Sequence, residues 1–261
     1  MDRSFLSHSE VAAAAKKFVC IRVISYEDAS EKAFISTLSN REPSNTAFAI
    51  LTPEGKPAAK GRGPGRGPMD LYKDAPDMAK GMDEIAAKYP LKKAEGAPAL
   101  PVSLNAKVGL ATAASEDQPL IVILAENAKR QEELAAKVAA MAWSKEFEGH
   151  FVYATAATAK DLPKVNGVTI KEGVVVIEPN EFGLEGKAVK EVPADLVAAK
   201  CADIMRDAMT SYKAIAKTRH GLHFDGLKAG IFYVPNLPVT AHGEAADRER
   251  YKSQLESQKK N

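Results

Sequence analysis

Short apolar runs, separated by segments of helical or turn character, constrain the fold of this 261-residue chain most strongly. Because most of them are rich in β-branched residues and too short to be buried helices, they predict strands enclosed in a sheet. Strands that alternate with helices indicate an α/β fold, in which helices cover a central sheet. The runs are FVCIRVI (18–24), TAFAILTP (46–53), PLIVILA (119–125), HFVYATA (150–156) and GVVVIEP (173–179).

The first half predicts the element order α-β-α-β-β-α. Its first strand, 18–24, is expected to be largely buried and is interrupted only by Arg22. A tight turn at 53–56 is expected to return the next strand as an antiparallel pair. The expected elements are a helix at 4–17, strands at 18–24, 46–53 and 56–61, a helix at 31–40, and a helix that Asp77 starts and Pro90 stops.

The second half predicts a leading helix followed by the order β-α-β-α-β-β-α. Helical spacing of apolar residues and capping residues at the helix starts distinguish its helices from its strands. The expected helices are 105–117, 127–143, the short 159–165 and 193–212, and the expected strands are 119–125, 150–156, 173–179 and 187–192.

A stretch without helix or strand periodicity divides the chain into two domains, 1–92 and 104–217. Prolines and a glycine without periodicity make 93–103 a linker. Residues 218–261 form a C-terminal extension, with a hairpin or short packed segment first and then either a solvated helix or a frayed tail.

Composition excludes several classes of partner. A net charge of +2 and an aromatic content of 7% favour neither nucleic acid nor membrane surfaces. No apolar run reaches the roughly 18 residues of a transmembrane helix. The N-terminus lacks the apolar core of a signal peptide, so the protein is either cytosolic or has lost an export signal before residue 1. No cofactor is expected.

Several stretches resemble secreted bacterial thioredoxin-like proteins. In DRSFLSHSEVAAAAKKFVCIRV, the segments Phe5-Leu6-Ser7, Val11 and Phe18-Val19 match positions that follow the active-site motif of that family. TAFAILTPEGK resembles the strand and hairpin that come next, and KVGLATAASEDQPLIVIL is similar to the lead-in of a further unit. The resemblance covers roughly 2–215. It implies two tandem thioredoxin-like domains, each with a mixed sheet flanked by helices, and a periplasmic or extracellular location.

The family's Cys-x-x-Cys motif is missing from this chain. Such a dithiol works because a helix N-terminus lowers the pKa of its reactive thiol. In the second unit its place is taken by Glu126-Asn127-Ala128-Lys129, and the place of the family's cis-proline by 169–172. In the first unit the motif would lie before Met1. The resemblance therefore predicts a redox-inactive binding or scaffold protein whose partner is a protein, a peptide or a second copy. The alternative is a thiol-disulfide oxidoreductase whose dithiol lies upstream of residue 1.

The two cysteines are expected to be packing residues. Cys20 falls in the predicted strand 18–24, and Cys201 is helically spaced from Leu196, Val197 and Ile204. A disulfide would require their Cα atoms to lie within about 7 Å, which two buried positions in different domains do not favour.

Histidines near the C-terminus offer a third function, metal binding. His220, His223 and His242, with Asp225, supply imidazole and carboxylate groups that suit zinc or copper. The alternative is that they are surface polar residues of a loop.

Two further places could bind an anion. GRGPGRGP (61–68) presents Arg62 and Arg66 among glycines but lacks the closing residues of a P-loop, so the alternative is a flexible loop or an inter-domain contact. Glu126 and Asn127 precede a helix whose N-terminus could bind an anion or a peptide backbone, with Asn127 as its N-cap.

Overall fold

The computed structural model describes residues 5–38, 47–59, 67–89, 98–162, 164–214, 219–231 and 233–259. The chain forms two compact units, one from Met1–Lys93 with Val234–Ser253 and the other from Ala94–Tyr233 with Gln254–Asn261. The first unit therefore draws on both ends of the chain. One link between these ends is a 2.8 Å hydrogen bond from the Leu237 amide to the Tyr26 carbonyl.

Helices dominate the described part of the first unit, which contains α1 (Ser9–Ala15), α2 (Ala29–Leu38) and α3 (Ala75–Ala86). Asp74 is the N-cap of α3, and its carboxylate accepts the Asp77 amide at 2.9 Å. The first helical residue is Ala75, so the helix begins two residues before Asp77, the predicted start. The apolar side of α3 is buried together with that of α1. Their shared core contains Val11, Ala14, Met78, Met82 and Ile85.

A short hairpin also belongs to this unit. The Thr52 amide donates to the Lys56 carbonyl and the Ala58 amide to the Ile50 carbonyl, each at 2.8 Å. Gly55 has a φ of +76°, the left-handed conformation that this turn requires. The predicted turn and antiparallel pairing are confirmed, but the described residues of the predicted strands 46–53 and 56–61 do not form strands. Their pairing is a bridge between Leu51 and Pro57 and not a ladder.

The prediction of a buried strand at 18–24 is wrong. These residues adopt neither helix nor strand, and the side chains of Val19 and Ile21 are 90% and 68% exposed. The predicted helix 4–17 is also shorter, because α1 ends at Ala15. None of the described residues of this unit belongs to a strand, so the run at 18–24 has no described sheet to join.

The second unit is built on a mixed five-stranded sheet. Its elements are α4 (Ala106–Glu116), β1 (Leu120–Leu124), α5 (Ala128–Ala142), β2 (Val152–Ala156), β3 (Val165–Asn166), β4 (Gly173–Pro179), β5 (Gly186–Pro193), α6 (Val197–Ser211) and α7 (Arg219–Lys228). The strand order is β2-β1-β4-β5-β3, with β1 parallel to β2, β4 antiparallel to both β1 and β5, and β3 parallel to β5.

Helices cover both faces of this sheet. Every residue of β1 is buried, and alternate side chains enter different cores because successive residues of a strand point to opposite faces. Ile121 and Ile123 pack with Leu134 of α5 and Met205 of α6, whereas Leu120, Val122 and Leu124 pack with Leu110 of α4. The predicted α/β class and the predicted order of long elements in this half are confirmed. The two-residue β3 was not predicted.

The C-terminal region is helical. α7 lies where a hairpin or short packed segment was expected, and α8 (Glu244–Lys259) follows it. Most residues of α8 are polar, and Glu244 forms an i,i+4 ion pair with Arg248. The first turn of α8 is held to the preceding segment, because the buried Asp247 accepts the Val239 amide at 2.6 Å. None of the helices in the described ranges has the length and apolar character needed to cross a membrane.

Candidate functional site

The candidate site lies where the N-terminus of α5 meets the loop that leads into β4. β1 and β4 are antiparallel, and Leu124 at the end of β1 is paired with Gly173 at the start of β4. The segment after β1 and the segment before β4 therefore come together at one end of the sheet, where β1 ends and β4 begins. Between them lies an open depression of about 460 Å³. It is lined by Glu126, Asn127, Lys129, Arg130, Glu133, Lys171 and Glu172.

The helix side of this depression is fixed by capping. The Asn127 side chain accepts the Arg130 amide at 3.0 Å, which confirms Asn127 as the N-cap of α5. The Gln131 side chain donates to the Ala125 carbonyl at 2.8 Å. These two bonds hold the first turn of α5 against the end of β1.

The loop side is fixed by β5. The Thr169 amide donates to the Glu191 carboxylate at 2.7 Å, and the Ala194 amide donates to the Glu172 carbonyl at 3.2 Å. Gly173 ends the loop with a φ of +142°, and a Cβ atom there would lie 2.0 Å from the Val192 carbonyl oxygen. Glycine is therefore required at the junction of the loop with β4.

An ion pair joins the two sides. The guanidinium of Arg130 binds Glu172 of the loop and also binds Glu133 of α5 at 2.9 Å. The hydrogen bond with Glu172 is the main reason that the pKa of Arg130 is raised, and the bond from Arg130 lowers the pKa of Glu133. All three side chains are more than a third exposed, so solvent screens these bonds. They orient the side chains and add little to the stability of the fold.

The chemistry of the depression is ionic. Its lining has three carboxylates, at Glu126, Glu133 and Glu172, and three cations, at Lys129, Arg130 and Lys171. No thiol lines it. The arrangement offers charge-assisted hydrogen bonds to a polar ligand and presents no cysteine nucleophile.

Cys201 lies elsewhere in the same unit and is a packing residue, as predicted. Its side chain is fully buried in α6, with Sγ 3.9 Å from the sulfur of Met205. Burial raises the pKa of the Cys201 thiol to about 12. A thiol with that pKa remains protonated near neutral pH and is a poor nucleophile.

Cys20 does not occupy the buried position predicted for it. Its side chain is exposed, because the run 18–24 is not part of a sheet, and its Sγ lies 3.9 Å from the Ala15 carbonyl oxygen. Both cysteines are free thiols.

The predicted metal ligands are only partly described. The backbone of His220 and His223 belongs to α7, but their side chains lie outside the described residues. Asp225 is exposed on the same helix, and His242 lies in the turn before α8. Among the side chains that the structure describes, no group of three histidine, cysteine, aspartate or glutamate residues could hold a metal ion.

The other predicted anion site, Arg62 and Arg66, also lies outside the described residues. Of the predicted binding residues, the structure therefore brings only Glu126 and Asn127 into one described site. Arg130 and Glu133 were missed because nothing local marks them as different from other residues on the polar side of α5. β1 precedes Arg130 and β4 follows Glu172, so the antiparallel pairing of β1 with β4 is the signal that could have placed these two residues side by side.

Comparisons with known proteins add no relative. No protein-family model, curated protein or solved structure matches the chain. The function must therefore be inferred from the site itself.

Proposed function

We propose that the second unit is a thioredoxin-like domain that binds a protein or a peptide and carries no dithiol chemistry. Its core strands support this fold, since β1 and β2 are parallel, β4 and β5 are antiparallel, and their order is β2-β1-β4-β5. In the thioredoxin-like proteins that the sequence resembles, a dithiol follows the strand equivalent to β1 and a cis-proline precedes the strand equivalent to β4.

One observation carries the proposal: an ion pair between Arg130 and Glu172 lies next to the two segments that the resemblance equates with that redox machinery. Glu126 and Lys129 stand where the resemblance would put the two thiols, and Glu172 stands just before β4. Arg130 joins these two segments through its bond with Glu172. The surface that would present a reactive thiol to a substrate protein instead presents paired charges and a capped helix end.

Such a surface is suited to binding. Hydrogen bonds to backbone amides hold both sides of the depression, so little backbone conformational entropy is lost when a ligand binds. Lys129 and Lys171 can pair with acidic groups of a ligand, and Glu126 can pair with a basic group. A polypeptide segment carrying charges of both signs matches this lining.

The proposal is tested by charge reversal at the site. Tagged natural protein, Arg130→Glu and Arg206→Glu are used to capture proteins from the source cells. Arg206 is the matched control because it is half exposed, pairs with Glu146 and Asp203, and does not line the depression. A partner retained by the natural protein and by Arg206→Glu but lost with Arg130→Glu supports the site. A partner set unchanged by Arg130→Glu contradicts it.

A second candidate function is favoured by the exposed run 18–24 in the first unit. We propose as the alternative a thiol-disulfide oxidoreductase in which a preceding segment supplies a dithiol and a strand that covers this run. The exposure of Val19 and Ile21 supports it, because apolar β-branched side chains in a run of this kind are normally buried in a sheet.

This alternative has its own test. The gene is expressed with the residues encoded upstream of Met1, and insulin reduction is compared between the longer protein and the chain described here. The alternative predicts dithiol-dependent reduction by the longer protein only, together with protection of the 18–24 amides from exchange. Equal inactivity and equal exchange in both proteins contradict it.

A further inference from the structure

We draw no further inference here: the strongest candidate, the open groove of about 630 Å³ between α1 and α3 with an alanine-rich floor and a rim of charged side chains, is an unpartnered apolar helix surface, and nothing in the structure shows what covers it.

Discussion

The run FVCIRVI in the first unit and the run LIVIL of β1 in the second have similar composition but adopt different structures. β1 is completely buried because it has β2 on one side, β4 on the other, and helices over both faces. FVCIRVI stays outside regular structure and leaves Val19 and Ile21 exposed. We infer that an apolar run becomes a strand only where neighbouring strands can pair with its backbone.

Truncating one isoleucine in each run tests this difference in burial. Ile121 is fully buried, so Ile121→Ala should lower the free energy of unfolding of the second unit by about 2–5 kcal/mol. Ile21 is 68% exposed, so Ile21→Ala should change stability by less than about 0.5 kcal/mol. Urea unfolding followed by circular dichroism measures both. A comparable loss in both variants would mean that 18–24 is buried after all.

A second comparison uses two glycines that both have positive φ. Gly173→Ala would bring a Cβ atom 2.0 Å from the Val192 carbonyl oxygen, so we expect a loss of about 3 kcal/mol or more. Gly55→Ala, in the hairpin of the first unit, meets no atom within 4 Å and should cost only about 1–2 kcal/mol, the penalty for a left-handed residue. Thermal unfolding of both variants shows which substitution destabilises the protein more. The reverse order would show that the start of β4 is not as constrained as described.

The buried Cys201 should make the stability of the second unit depend on pH. Burial raises the pKa of Cys201 from its ordinary value of 9.0 to about 12. Between these values the unfolded chain loses a proton that the folded chain keeps, so the stability of the second unit should be complete below pH 9 and fall as the pH rises toward 12.

Substitution of Cys201 shows how much of this fall in stability with pH comes from its thiol. Cys201→Ala should make the fall between pH 9 and pH 12 shallower, although Tyr212, whose pKa burial and Asp117 raise to about 12, will leave part of it. Ile21→Ala, which removes no ionisable group and is 68% exposed, provides the control and should leave the slope unchanged. Urea midpoints measured across this pH range provide the comparison. A slope that is the same in all three proteins would show that Cys201 is not buried.

The smallest expected effect concerns the ion pair at the candidate site. Arg130→Gln removes the link between α5 and the loop before β4, so amide exchange at 170–172 should rise about two- to five-fold relative to Arg206→Gln. Because both partners are exposed, 0.5 M NaCl should reduce this difference. Exchange that is equal in the two variants at low salt would mean that the pair does not hold the loop.

Much of the second unit could be predicted from its sequence. β4 was predicted residue for residue at 173–179, and the N-cap role of Asn127 was evident from its position before the helix. Local patterns sufficed there because apolar runs, capping residues and sheet pairing all favour the same structure. The first unit could not be predicted as well, because no property of 18–24 reveals whether a neighbouring strand exists.

The candidate site was predicted only in part. Glu126 and Asn127 were identified from their place between a strand and a helix, whereas the Arg130–Glu172 pair joins residues 42 positions apart. That contact depends on the antiparallel register of β1 and β4, which brings Leu124 beside Gly173. Register is a long-range property, so residue types at either position do not reveal it.

A turnover assay shows whether this chain lacks dithiol chemistry, as we propose. Insulin reduction by dithiothreitol is followed as turbidity with the natural chain, with Cys20→Ser/Cys201→Ser and without protein. We expect the same rate in all three, because Cys201 is buried and protonated, the exposed Cys20 has no accessible second cysteine with which to form a dithiol, and the depression holds no cysteine. A faster rate with the natural chain that the double variant abolishes would assign redox activity to these thiols and contradict the claim.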